Sequence, residues 1–412
     1  MTIASIKNNI LPHLPRSRRN RFILLFIIAS VAFFAVIVTI TRFDIKGRYE
    51  GIFLLREKPK NFGLFELKDD LYLGDGSRLL FAIDLKKPKY TSDQSSPDYK
   101  TAKPFIFFSW DAKDGSGFVR NFFGDGTRMV TCFSRFDDEA EDNLAHGLIV
   151  GGGLPPNIEG DDETKMSETG MAYFNGKCWF HIWCNANEGF TSLDTAEKSA
   201  PSDWTFLGSK VLNSSSDTVA LMSSHEVDVD GVPLHLDRYA YFRAGRPYFK
   251  LGMKITNLGD VPAHFTYVYG DEPWVGKYGS SKGNVGWTKD RLYENVEWVD
   301  TTKYNYAGFF DYGRSNDSHN YTMAANFIEW YPTLKPNVYF SNGPMDSPMT
   351  HPQAVAMDSN ERFISVEFNV PELLPGKSTM IFMAIGMAGA DPQTGFPVKP
   401  EVNWYEAADL MK

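Results

Sequence analysis

The chain has 412 residues, enough for a sizeable core, and carries 51 acidic against 42 basic side chains for a formal net charge of −9. Six of the basic residues and none of the acidic ones fall at or before Arg42, which leaves 36 basic against 51 acidic groups beyond it. A stretch that acidic repels phosphate backbones, which makes nucleic acid a poor partner, and three cysteines are too few for a disulfide scaffold.

The run from Phe22 to Thr41 contains no charge, no proline and no glycine. Its length matches the roughly 20 apolar residues that a bilayer core of about 30 Å demands, and in lipid its backbone is satisfied only as a helix. Lys7, Arg16, Arg18, Arg19 and Arg21 precede it, so the bias toward cytoplasmic positive charge holds the short tail inside. The expectation is a cytoplasmic tail over 1–21, a single-pass anchor in the lipid bilayer over 22–41 and an extracytoplasmic domain over 43–412. The rival is a signal peptide cleaved after Ser30-Val31-Ala32, which would leave the apolar Phe33-Phe34 at the new terminus.

After the anchor the chain reads as short apolar runs between turn residues. Tyr49–Leu55, Leu79–Leu85, Phe105–Trp110, Met129–Ser134 and Met171–Phe174 are such runs, and Asn175-Gly176 marks a hairpin. A second hairpin turns at Asp230-Gly231, and a third joins Arg238–Arg243 to Tyr248–Ile255. Asn257–Pro262 turns the chain into His264–Tyr269, and Leu374-Pro375-Gly376-Lys377 links Arg362–Val370 to Met380–Ile385. Strands recurring at such spacing predict an all-β fold, one large antiparallel β-sandwich preceded by the transmembrane α-helix. The polar stretches Tyr90–Lys103, Leu154–Thr169 and Asp194–Ser202 read as surface insertions, and Glu401–Met411 as a short terminal helix.

The segment from Asp237 to Gly276 resembles the central strands of galactose-mutarotase-like supersandwich proteins. The resemblance rests on the Thr256-Asn257, Gly259-Asp260 and Pro262 turn between two strands, and on the Pro375-Gly376 turn before the closing strand. It implies a supersandwich-like fold whose next strand runs into a sugar site. Epimerases of that superfamily place a histidine just past this strand. Here the matching place reads Gly270-Asp271-Glu272-Pro273-Trp274, which disfavours epimerisation and leaves hydrolysis or binding open.

The residues support a polyol site independently. Carboxylates accept hydroxyl hydrogen bonds and an indole face packs on the C–H surface of a sugar, so Asp271 and Glu272 are candidate catalytic groups and Trp274 a candidate binding group. Neighbouring strand residues point to opposite faces, so the two carboxylates serve one substrate only if the strand breaks there. The alternative is a turn with a carboxylate cap. The irregular aromatic stretch that follows adds Trp287, Trp298, Asp300 and Tyr304 as substrate-binding candidates, against the alternative that the rings fill the core.

Glu226, Asp228 and Asp230 share one strand face, as a calcium ligand set, a supply of glycosidase carboxylates or a solvated hairpin edge. Cys132, Cys178 and Cys184 are open to pairing in an oxidising compartment or to burial as small apolar groups. No phosphate loop, nucleophile elbow or His-Glu-x-x-His occurs, and Cys178, His181 and Cys184 alone make a weak zinc set, so no cofactor or metal is expected. The leading expectation is a membrane-anchored protein that binds or processes a glycan. The alternative is a non-catalytic envelope protein whose sandwich contacts a protein partner.

Overall fold

A computed structural model describes residues 79–80, 104–110, 115, 117–123, 127–133, 171–174, 179–184, 187–214, 217–271, 273–276, 284–312, 323–342 and 362–406. The chain divides into two compact units, Met1–Lys58 and Pro59–Lys412, and every described residue belongs to the second. The predicted membrane helix over 22–41 and the run Tyr49–Leu55 therefore lie outside the described residues. Among the described residues no helix is long and apolar enough to cross a membrane.

The described strands form three antiparallel sheets. The seven-stranded sheet has the order β1 (Leu79–Leu80), β2 (Phe105–Trp110), β3 (Gly117–Phe122), β4 (Arg128–Phe133), β5 (Met171–Phe174), β6 (Trp179–Cys184) and β14 (Pro273–Gly276). The six-stranded sheet has the order β17 (Glu297–Val299), β20 (Asn337–Ser341), β21 (Phe363–Leu373), β13 (Ala263–Asp271), β7 (Asn187–Ser192) and β8 (Lys198–Ser199). The ten-stranded sheet begins β16 (Leu292–Tyr293), β15 (Asn284–Trp287), β18 (Tyr306–Asp311), β19 (Ala324–Trp330) and β22 (Ser378–Ala390). It continues through β12 (Tyr248–Asn257), β11 (Val232–Arg243), β10 (Thr218–Val229) and β9 (Thr205–Ser214), with β23 (Pro397–Val398) paired to β22.

The predicted turn Asn175-Gly176 lies outside the described residues, whereas those at Asp230-Gly231 and Asn257–Pro262 fall where the residues require. Asp230 and Gly231 both adopt the left-handed region, φ 59° and 79°, the pair of values a tight two-residue hairpin needs. Asn257 ends β12 and binds two turns together: its amide donates to the carbonyls of Val261 and Leu373 at 2.8 Å each, and its oxygen accepts from Gly259 at 2.8 Å. β11 runs through both hairpins, pairing with β10 without interruption from Val232 to Arg243.

One face of the ten-stranded sheet, here the inner face, is covered by both smaller sheets. Phe133 of the seven-stranded sheet meets Phe242 at 6.0 Å, and the Trp110 indole donates to Ser209 at 2.8 Å. Phe340 of the six-stranded sheet packs on Tyr293 and Phe309 at 5.0 and 5.2 Å. The sandwich is thus three sheets, with the two smaller ones sharing one side. Burial of this aromatic layer, at about 25 cal/mol per Å² of apolar surface, drives the assembly.

Buried charge joins the layers as well. Arg238, on the inner face of β11, reaches Glu188 of β7 through Nη2 and, at 3.2 Å, through Nε, while Tyr267 of β13 donates to the same carboxylate at 3.1 Å. Cys132 is a buried free thiol, and burial pushes its pKa well up.

The C-terminal end departs from expectation. Residues 401–403 are not helical, and a single 3-10 turn occupies 404–406, while 407–411 lie outside the described residues. The segment is tied to the sheet instead: the Asn403 amide donates to the Tyr248 hydroxyl at 3.0 Å.

Candidate functional site

The outer face of the ten-stranded sheet carries what the smaller sheets leave uncovered. Directly paired residues on neighbouring strands share a face, so the register defines a row across the sheet. Ala220 pairs with Tyr241, Tyr241 with Lys250, Lys250 with Ala384, Ala384 with Glu329, and Glu329 with Tyr306. The row beside it contains Tyr248, Gly386 and Phe327.

Strand β22 is the floor. Its outward positions Ala384, Gly386 and Ala388 are small, whereas its inward positions Met383, Ile385 and Met387 are large. A side chain at Gly386 has no room, since a Cβ there would stand 2.4 Å from the Pro247 carbonyl. Lys250 and Glu329 rise on either side of this trough, two strand spacings or about 10 Å apart, so they do not neutralise one another.

Their counter-charges come from the C-terminal segment that lies in the trough. Lys399 pairs with Glu329, and its ammonium also sits 5.3 and 5.2 Å from the ring centres of Tyr306 and Phe327. The Trp404 indole nitrogen donates to Glu329 at 3.3 Å, and its ring meets Phe382 and Tyr331 at 5.3 Å each. Glu406 lies 3.6 Å from Lys250, 2.9 Å from Arg246 and 3.7 Å from Arg243.

Burial perturbs the titrating groups of this row. It lowers the Lys250 ammonium from the usual 10.5 to about 8, against the opposing pull of Glu406. It raises Glu329 above the ordinary carboxylate value, with Lys399 pulling the other way, and lifts Tyr306 to about 12. A carboxyl, an amine and phenols displaced together on one face is the arrangement that acid–base sites show.

Toward β9 the outer face opens. Ser224, Asp237, Lys254 and Met380 form a half-buried row, with Tyr239 in the row between it and Tyr241. Asp237 accepts from Ser224 at 2.7 Å and faces the His235 ring nitrogen at 3.1 Å. Glu226, Asp228 and Asp230 are all exposed here, and among the described residues no group of acidic, histidine or cysteine side chains is placed to hold a metal.

The residues singled out in the sequence are distributed differently. Asp271 ends β13 in the six-stranded sheet, paired with Ile364, and Pro273 opens β14 in the seven-stranded sheet, paired with Cys184. The chain thus changes sheets between Asp271 and Pro273, and Glu272 lies outside the described residues. Trp274 pairs with Trp183. Both strands belong to the sheets on the inner side, away from the Glu329 row.

Trp287 does join the outer-face cluster: it is fully buried, 5.3 Å from Tyr306, and its indole donates to the Asn326 carbonyl at 2.9 Å. Trp298 of β17 packs edge-on to Tyr339 at 4.9 Å. Asp300 is exposed and closes the turn before β18, accepting from the Thr302 amide at 3.0 Å. Tyr304 donates to Asp290 at 2.5 Å.

Lys250, Glu329, Lys399 and Glu406 went unmarked in the sequence. A signal exists: a lone charge inside an otherwise apolar run, as Lys250 in Tyr248–Met253 and Glu329 in Ala324–Trp330, is a charge that will be buried and must find a partner.

The sequence matches no protein-family model and no curated protein. Solved structures similar to it include a galactose mutarotase-like protein from Clostridium acetobutylicum, at 9% identity over 68% of this chain and 94% of the other with a TM-score of 0.32. An aldose epimerase homologue from C. elegans is 10% identical over 70% and 99% of the two chains, TM-score 0.31. A heparan sulfate lyase from Pedobacter heparinus is 11% identical over 69% of this chain and 36% of its own, TM-score 0.31. The galactose-mutarotase-like resemblance read in the sequence has counterparts among these solved structures. At these TM-scores none of them bears on chemistry.

Proposed function

We propose that the chain binds and processes a saccharide on the outer face of its ten-stranded sheet. The observation that carries this reading is the row Tyr241, Lys250, Ala384, Glu329 and Tyr306: aromatic rings and opposite charges stand on either side of a small-residue trough. Rings pack on sugar C–H surfaces, and the charged groups pair with hydroxyls. The open row of Ser224, Asp237 and Lys254 extends that surface.

Hydrolysis is the reaction favoured over epimerisation. Burial raises the Glu329 carboxyl while Lys399 and Trp404 pull it down, so Glu329 serves as the proton donor to a glycosidic oxygen only where a bound saccharide displaces that pair. Asp271 and Glu272 remain the competing catalytic pair, with Trp274, Trp298, Asp300 and Tyr304 as its binding groups. Proton NMR of the full chain in detergent with an oligosaccharide panel separates the two sites. New anomeric signals that vanish in Glu329→Gln support the outer face, and signals that vanish only in Asp271→Asn or Glu272→Gln move the chemistry to the sheet crossing. Line broadening without new signals makes the protein a binding module. Silence across the panel removes the saccharide reading.

The second reading, contact with a protein partner, is favoured by Leu258, Val261 and Leu374, all exposed on the two turns that Asn257 ties together. The reading also includes the bilayer: residues 22–41 anchor the chain and place the β domain outside the cytoplasm. The expected result is that the full chain stays in the membrane pellet after an alkaline carbonate wash. Release into the supernatant would remove the anchor.

A further inference from the structure

Within 4 Å of Glu406 the charges do not balance. Three cations, Arg243, Arg246 and Lys250, converge within 4 Å of a single carboxylate. Two further carboxylates lie farther out: Asp217, whose charge is felt at Tyr241, and Glu401, whose charge is felt at Arg246.

The fit is also incomplete. Arg246 hydrogen-bonds Oε1 at 2.9 Å, whereas Arg243 at 3.7 Å and Lys250 at 3.6 Å are beyond hydrogen-bond reach. The Lys250 side chain is only 1% exposed, and among the described residues its ammonium has no hydrogen-bond partner. Oε2 of Glu406, the carboxylate oxygen facing it, has none either. A buried ammonium without an acceptor is costly, and a donor so placed is one that a better-fitting acceptor would engage.

The site is reachable. Arg243 and Arg246 are 42% and 41% exposed, and the open rows of the outer face lead to them. The carboxylate arrives on a segment that is not part of the sheet at that point: residues 401–403 have no regular structure and only one 3-10 turn precedes the end of the described chain. That segment crosses the trough with an aromatic ring, Trp404, lying on Phe382. A ring and a carboxylate are the groups an acidic sugar would replace.

We propose that Glu406 is a resident stand-in for the acidic group of the ligand. The saccharide taken by this face then carries a uronate carboxylate, bound by Arg243, Arg246 and Lys250 once the C-terminal segment lifts. This rests on the saccharide reading of the outer face and adds the chemical class of the sugar to it. It also resolves a tension in the charge: the domain as a whole is strongly acidic, so an anionic glycan needs a local concentration of cations to bind at all.

The test is isothermal titration of the full chain and of Glu406→Gln with hexagalacturonate and, as the neutral sugar of equal length, maltohexaose. The glutamine variant removes the internal competitor while keeping the side-chain volume, so hexagalacturonate is expected to bind at least tenfold more tightly than to wild type. Maltohexaose should respond equally in both proteins. Adding Arg246→Gln to Glu406→Gln should abolish the gain.

Equal responses to the two sugars in both proteins would overturn the uronate assignment and leave the saccharide reading standing. No response to either sugar in either protein would remove both. A wild-type circular dichroism spectrum is the condition for using the variant. Should Glu406→Gln fail it, Trp404→Ala unseats the same segment, leaves all three cations in place and is expected to show the same selective gain.

Discussion

Arg238→Met is expected to destabilise the β domain by about 3–5 kcal/mol, the cost of leaving one partner of a buried ion pair behind. The guanidinium and the Glu188 carboxylate are both about 1% exposed, and the carboxylate takes further bonds from Arg238 Nε and the Tyr267 hydroxyl. Methionine fills much of the same volume, so the loss is of charge more than of packing. The measurement is the urea midpoint at unchanged slope, followed by tryptophan fluorescence.

The double replacement Arg238→Met with Glu188→Leu decides what the pair does. Replacing both ions by apolar groups removes the stranded charge, and stability should return to near the wild-type value. A double variant as unstable as the single one would mean that the site depends on packing around Arg238 rather than on the charges. Because Glu188 and Tyr267 sit on adjacent strands of the six-stranded sheet and Arg238 on β11, the pair also specifies how the two layers slide together. Apolar contacts between the layers tolerate a shift of one residue far better than a bidentate contact does.

The same feature shows what could and could not be read in the sequence. Alternation and turn residues located individual strands well: Phe105–Trp110 and Met171–Phe174 appear with the limits expected, and Asp230-Gly231 turns as a hairpin. These signals are local, set by two-residue periodicity and by side chains that tolerate positive φ. The order of strands is not local. β22 lies between β12 and β19, over a hundred residues and about fifty residues earlier in the chain, and only that adjacency puts Lys250, Ala384 and Glu329 in one row.

The division into three sheets was equally invisible. Asp271 and Pro273 read as one strand end beside a turn, whereas the backbone there leaves one sheet and enters another. For Trp287 the sequence showed an aromatic next to a glycine, and only the register showed the ring buried against Tyr306. The described part of the C-terminal segment, 401–406, departs from the helix for a related reason. Helix propensity is a weak prior, and at Asn403 a contact with a sheet strand 155 residues away, at Tyr248, overrides it.

Lys250 gives the protein an unusual alkaline response. Burial holds its ammonium near 8 in the folded chain against 10.5 in the unfolded one, so between those values the unfolded chain binds more protons. Stability therefore rises with pH across that window and is lost as pH falls through about 8. The full span is on the order of 3 kcal/mol. Tyr306, lifted to about 12, and Tyr241 and Tyr248, also raised by burial, act in the opposite sense. Their contribution is complete below the unfolded value near 10 and is lost as pH climbs through their folded values.

The expected profile is thus a climb from pH 8 to about 10 followed by a decline, read from thermal midpoints. Lys250→Met should flatten the climb and keep the decline. At pH 7 the variant should be no less stable than wild type, since it removes a charge that is costly to bury while Arg246 still holds Glu406. A variant that keeps the full rise between pH 8 and 10 would show that the response belongs to another group. A variant that loses several kcal/mol at pH 7 would show that Lys250 and Glu406 stabilise one another far more than their 3.6 Å separation allows.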